Sequence, residues 1–167
     1  MKSLLLELCA LKSLPRTGFK RVGVPNPETI ASHSFGVTLW ALLLCPSDLD
    51  LERCLSLALI HDLAEVRVGD ITPHDPISKQ EKHRLEREAF CSLLGANPRL
   101  VDLFDEYESA ETAEAQFVHA LDKLDMGLQA ISYAQTPPEG CSRESFDEFI
   151  NSAKAALVDF PALQKLL

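Results

Sequence analysis

The segment ALIHDLAEVRVGDITP, residues 58–73, concentrates the groups best suited to chemistry. His61 and Asp62 are adjacent and follow an apolar run from Leu55 to Ile60. A neutral imidazole beside a carboxylate suits a first-row divalent ion such as Mn, Co, Zn or Ni. Read as helix, adjacent residues point about 100° apart, so both can reach one ion at the rim of a bundle. Glu65 follows His61 by four residues and Asp62 by three, which sets it over the same helical face. Asp70 follows in the loop after Gly69. A helix cap or a buried ion pair would account for the His-Asp pair alone. One His and three acids within ten residues, beside a run of Leu, are costly to place near a core without a use.

Two further ligands are available at a distance. His33 stands where Val37, Trp40 and Leu44 mark the buried side of a helix, and Asp122 lies among Phe117, Val118, Leu121 and Leu124. A lone His on an apolar face is more often a satisfied core residue, and a mid-helix Asp more often a solvated charge. Metal sites in bundles are built from facing helices, so the topology can bring both to His61 and Asp62. Spacing alone leaves that open.

The elements that must position these groups read as helices. The chain has 167 residues, the size of one domain, and 1–167 is taken as such. Leu and Ala number 45 against 14 for Ile and Val, which favours an all-α fold. Leu4, Leu5, Leu8 and Leu11 mark a first helix over 2–13, stopped by Pro15. Residues 15–27, with three Pro and two Gly, read as an irregular loop carrying Arg16, Lys20 and Arg21. Helices are expected at about 28–45 and at 51–66, the latter entered from Asp48 or Asp50. After a loop at 69–76, Ser78 and Glu81 form a capping box for a helix ending at Gly95. Asn97-Pro98 opens the next helix, Thr112 a long one to about Ala134, and Ser145 with Glu148 a last one before a tail around Pro161. The sum is a bundle of six or seven helices.

The formal charge is −9, unevenly placed. Residues 1–27 carry five bases against one acid; the remaining 140 carry eleven bases and twenty-four acids. Such a chain repels nucleic-acid polymers and anionic membranes at long range. A small phosphate ester remains a suitable partner if a metal and a few bases shield it. Five Cys without a C-x-x-C pair read as reduced thiols of a cytoplasmic protein. The N-terminus lacks a signal-peptide pattern, and no run approaches the ~20 apolar residues of a membrane span.

The order His33, His61-Asp62, Asp122 resembles the H…HD…D signature of the HD-domain metal phosphohydrolases. LPRTGF at 14–19, NPETIASHSF at 26–35, HDLAEVRVGDITP at 61–73 and ALDKLDM at 120–126 are similar to the 5′-deoxynucleotidase branch. The likeness covers about residues 1–135, with the C-terminal helix and tail, 140–167, outside it. It implies an all-α HD fold, one divalent ion (Mn, Co, Zn, Ni or Mg), a homodimer, and hydrolysis of (deoxy)nucleoside 5′-monophosphates to nucleoside and phosphate. His33, His61, Asp62 and Asp122 match the metal ligands, Glu65 the catalytic carboxylate and Asp70 a second acid. Arg16 matches the arginine that holds the phosphate, and Phe19 stands at the place of an aromatic near the substrate. Two positions depart: Ser32 replaces a Glu beside His33, and His119 a Lys. The implied chemistry is attack of water on a phosphate beside a divalent ion, with Glu65 moving a proton. Another phosphohydrolase or pyrophosphohydrolase of the same fold, or a nucleotide sensor without turnover, shares these features.

Overall fold

The computed structural model describes residues 1–167. It is all-α, and the only β pairing is an isolated antiparallel bridge between Pro15 and Thr29. The helices are α1 Lys2–Leu8, α2 Thr17–Arg21, α3 Ile30–Leu44, α4 Leu51–Ile60 and α5 Glu65–Val68, followed by α6 Lys79–Leu94 and α7 Pro98–Ser109. The chain ends with α8 Ala113–Gln135, α9 Asp147–Ala156 and α10 Pro161–Gln164. Six of these, α3, α4, α6, α7, α8 and α9, run ten residues or more and form the bundle. No helix is long and apolar enough to cross a membrane.

Local sequence sets most helix starts. Thr29, Asp50, Ser78 and Thr112 each accept the backbone N–H three residues on, closing the N-termini of α3, α4, α6 and α8. Only half of the expected box at α6 forms, because Glu81 turns to Arg84 instead of reaching back to Ser78. The last helical stretch begins ahead of Ser145, in a 3₁₀ turn, although α9 itself starts only at Asp147. Ser142 and Ser145 form a capping box there, and a 3₁₀ turn at Arg143–Phe146 leads into α9.

Helix α8 is the axis of the fold. It buries Phe117, Val118, Leu121, Leu124 and Ala130, and packs against α3, α4, α7, α9 and α10. A Cβ on Gly127 would lie 2.8 Å from the Ala153 methyl, so only glycine admits α9 this closely. A second, smaller apolar cluster of Phe19, Val24, Ala130 and Phe146 joins α2 to α8 and the turn before α9.

Two further expectations need correction, both beside the candidate site. Residues 15–27 are not wholly irregular, since Thr17–Arg21 make a helical turn that buries Phe19 against Phe149 and Tyr133. Tertiary packing there overrides a local composition rich in Pro and Gly. The helix over 51–66 is also not continuous. It ends at Ile60, and Leu63, Glu65 and Arg67 bond the carbonyls three residues back, so the chain tightens through 61–64 before α5. The five cysteines are all unpaired.

Candidate active site

Helix α3 carries His33 one turn inside its Thr29 cap, and His61 stands at the C-terminal end of α4. Both imidazoles are buried, His33 completely. Nδ1 of His61 faces the Ala58 carbonyl at 2.7 Å, and Nδ1 of His33 faces Asp125 Oδ2 at 2.7 Å. Carbonyl and carboxylate oxygens only accept, so each Nδ1 carries a proton, and each Nε2 is the nitrogen left to meet a cation. The two Nε2 atoms point at one another, 3.4 Å apart. Asp62 Oδ2 lies 3.2 Å from His61 Nε2 and 3.6 Å from His33 Nε2, and no hydrogen-bond donor satisfies it. Ligand atoms of His33, His61 and Asp62 all lie within 4.8 Å of each other. Facing Nε2 atoms beside a buried, orphaned carboxylate oxygen form a pocket for a cation. The donor set fits a divalent ion.

Asp122 closes the far side. Its Oδ1 is 3.2 Å from His33 Nε2, while Lys123 holds its Oδ2 at 2.7 Å. Burial and Arg16 oppose charge on His33, but Asp122 and Asp125 outweigh them and lift its pKa to about 9. Positive charge is thus favoured at that point, as a proton on His33 or as a cation in its place. Burial works against ionised Asp62 too, yet His61, His33 and Arg16 hold its carboxyl well below the usual range.

Around this centre stand the other predicted residues. The Arg16 guanidinium sits 3.6 Å from Asp62 and 3.7 Å from Asp70, with Glu28 at 3.9 Å behind it. Backbone bonds from Arg16 N to Glu28 O and from Ile30 N to Leu14 O fix its strand beside the start of α3. Asp70 accepts the Thr17 N–H at 2.5 Å, tying the loop after α5 to α2. Glu65 is 3% exposed, and its Oε2 has no hydrogen-bond partner. Burial, with Asp62 and Asp70 adding repulsion, raises its pKa well above the carboxylate range. Two acids three residues apart are therefore pushed in opposite directions, which is how an acid–base role separates from a charge-holding one.

Arg16, His61, Asp62, Glu65, Asp70 and Asp122 all line one cavity of about 510 Å³, large enough for far more than a phosphate. Phe19 also lines it, but stacked on Phe149 with ring centres 4.7 Å apart and 1% exposed, so it acts as wall. His33 lies behind this surface. Of the basic N-terminal residues, Arg16 and Arg21 reach the cavity and Lys20 does not. Ser32 lies at the surface on Thr29 Oγ1, so His33 draws its support from Asp125 and not from residue 32. His119 bonds the Tyr107 carbonyl and stacks on that ring, which takes its Nε2 away from Asp122. His74 and His83 are exposed and paired with Glu148 and Glu108.

Several residues at the site escaped sequence reasoning. Asp125 falls one helical turn after Asp122, a spacing that could have flagged it. Glu28, whose carboxyl burial pushes up to about 7, directly precedes the Thr29 cap. Lys82 and Glu86 of α6 and Glu148 and Phe149 of α9 complete the cavity wall, and no motif pointed to them.

A family model described as HD domain matches residues 8–164. The 5′-deoxynucleotidase hdd1 of Schizosaccharomyces pombe is 44% identical over 135 residues, covering 75% of this chain and 68% of that protein. The 5′-deoxynucleotidase HDDC2 of Homo sapiens is 42% identical over 128 residues, covering 74% and 63%. The matched region thus spans about two thirds of the length of these relatives. Among solved structures, a conserved hypothetical protein from Pyrococcus furiosus superposes with a TM-score of 0.80 at 31% identity, covering both chains fully. A predicted metal-dependent phosphohydrolase from Magnetospirillum magnetotacticum gives 0.66 at 28% identity, covering 99% of this chain and 93% of that one. The cluster of His33, His61 and Asp62, with Asp122 of α8 against His33, lies within the matched residues, and the chain belongs to the HD domain family.

Proposed function

We propose that the protein is a metal-dependent 5′-nucleotidase that converts (deoxy)nucleoside 5′-monophosphates to nucleoside and phosphate. The observation that carries this reading is the pair of facing Nε2 atoms beside the orphaned Asp62 oxygen, at the floor of the 510 Å³ cavity. The relatives named 5′-deoxynucleotidase support the substrate class. His33, His61, Asp62 and Asp122 would hold one divalent ion, which supplies Lewis acidity toward water and the phosphoryl group.

The rest of the work falls to side chains. Arg16 offers a planar fork that can take two phosphate oxygens, in place of its present long contacts to Asp62 and Asp70. Its charge, with Arg21, Lys82 and Lys123 on the same cavity, offsets the repulsion of an acidic chain for an anionic substrate. Glu65, desolvated and unpartnered, takes a proton from the attacking water or gives one to the departing 5′-oxygen. Asp70 holds Thr17, and with it the strand that carries Arg16. Phe19, fixed by Phe149, forms the wall beside the substrate.

Phosphate release from a panel of deoxy- and ribonucleoside 5′-monophosphates, 3′-monophosphates and triphosphates, with Mn²⁺, Co²⁺, Mg²⁺ and Zn²⁺, tests the proposal. Release is expected from 5′-monophosphates, fastest with deoxyribose. Substrate binding without turnover under every metal would turn the reading to a sensor, and preference for triphosphates to another hydrolase. In the same assay, Arg16→Lys keeps the charge but loses the fork, and should weaken kcat/KM by at least tenfold, about 1.4 kcal/mol. Unchanged constants would remove Arg16 from the phosphate site.

The homodimer reading draws support from α3. Its sequence IASHSFGVTLWALLL is apolar around most of its circumference, and Phe35, Leu42 and Leu43 face outward and exposed. Such a helix is normally covered on all sides. Light scattering should give twice the 18.5 kDa chain mass; a monomer at micromolar concentration would overturn the assignment.

A further inference from the structure

We propose that Asp125 is a positioning residue that fixes the tautomer and direction of His33 for metal binding; this rests on the metal centre of the proposed function. Asp125 is 7% exposed and lies one turn beyond Asp122 on α8, so both face α3. Its Oδ2 accepts His33 Nδ1–H at 2.7 Å, and its Oδ1 accepts Trp40 Nε1–H at 2.7 Å. An indole nitrogen only donates, so the role of Oδ1 is unambiguous. His33 and Trp40 are seven residues apart, two turns along α3, and converge on one carboxylate. Each oxygen has its own donor, which leaves the carboxylate no freedom to rotate.

The backbone between them is shaped for this contact. Gly36 lies midway between the two donors, and a Cβ there would come 2.2 Å from Asp125 Oδ1. Any other residue would push the carboxylate out of reach. The two imidazoles are therefore held differently. His61 is fixed by a main-chain carbonyl, which no substitution removes, whereas His33 depends on one side chain. With its proton held at Nδ1, His33 must direct the Nε2 lone pair toward His61 and Asp122. A carboxylate partner also raises the basicity of the ligating nitrogen.

Asp125→Asn tests this directly. Asn presents one acceptor oxygen and one NH₂ to two converging N–H donors, so one of them must face a donor. Competition with a chelator for Co²⁺ should show affinity about 10–100-fold below wild type, at unchanged helix content by circular dichroism. A folded Asp125→Asn protein with wild-type Co²⁺ affinity overturns the inference. A second measurement needs no variant: long-range ¹H–¹⁵N spectra of the Zn²⁺-loaded wild type should show His33 protonated at Nδ1. A proton on Nε2 overturns the inference even if the variant does not fold. Failure of the wild type to bind Co²⁺ would sink the metal centre as well, whereas equal binding by both proteins sinks the Asp125 role alone.

Discussion

Glu65→Gln is expected to lower turnover by about two orders of magnitude or more, with metal content and substrate KM near wild type. The substitution keeps size and much of the hydrogen-bonding capacity, and removes only the ability to exchange a proton. Glu65 is suited to that exchange because nothing else uses it. Its Oε2 is buried without a partner, and burial, Asp62 and Asp70 all disfavour its charged form. It stands on the cavity wall and, unlike Asp122, is not paired with either imidazole. A neutral amide in that position relieves the repulsion, so the thermal midpoint should not fall. Single-turnover rates, metal analysis and a melting curve on one preparation decide the matter. Loss of the ion would make Glu65 a ligand; full activity with the ion retained would pass the proton-transfer role to Asp70.

What the sequence revealed, and what it hid, follows from the range of the interactions involved. Thr112 and Ser78 are legible as caps because a cap is made within three residues. His61 and Asp62 are legible as candidate site residues because such groups are costly beside Leu-rich segments, whereas Asp122 stands out only through the family resemblance. The break between α4 and α5 is different: it comes from carbonyl partners shifting by one residue, and no Gly or Pro marks it. The helical turn at Thr17–Arg21 forms because Phe19 finds Phe149, 130 residues away in the chain. Asp125 illustrates the limit most clearly. It sits in the quoted ALDKLDM stretch, yet its partners His33 and Trp40 appear only when α3 crosses α8 at Gly36. The C-terminal helix likewise reads as an appendage, until Gly127 admits Ala153 and carries Glu148 and Phe149 to the cavity.

Asp62→Ala should abolish both metal binding and activity, and His61→Ala should do the same. Asp62 Oδ2 is the atom on which the site converges, 3.2 Å from His61 Nε2 and 3.6 Å from both His33 Nε2 and the Arg16 guanidinium. Without it, two imidazoles face each other with only Asp122 to offset an incoming dication, and Arg16 loses one of its carboxylate partners. The effect on the ion should exceed the effect on the fold, because that oxygen holds no helix end and no backbone N–H. Metal analysis after reconstitution is expected to fall from one ion per chain to a small fraction of that, with helix content unchanged. The contrast with Glu65→Gln then becomes diagnostic. All three variants lose turnover, but only the Asp62 and His61 variants lose the ion, and excess Mn²⁺ restores none of them. Unchanged metal stoichiometry in both Asp62→Ala and His61→Ala would overturn the coordination set and leave the facing imidazoles as a purely structural pair.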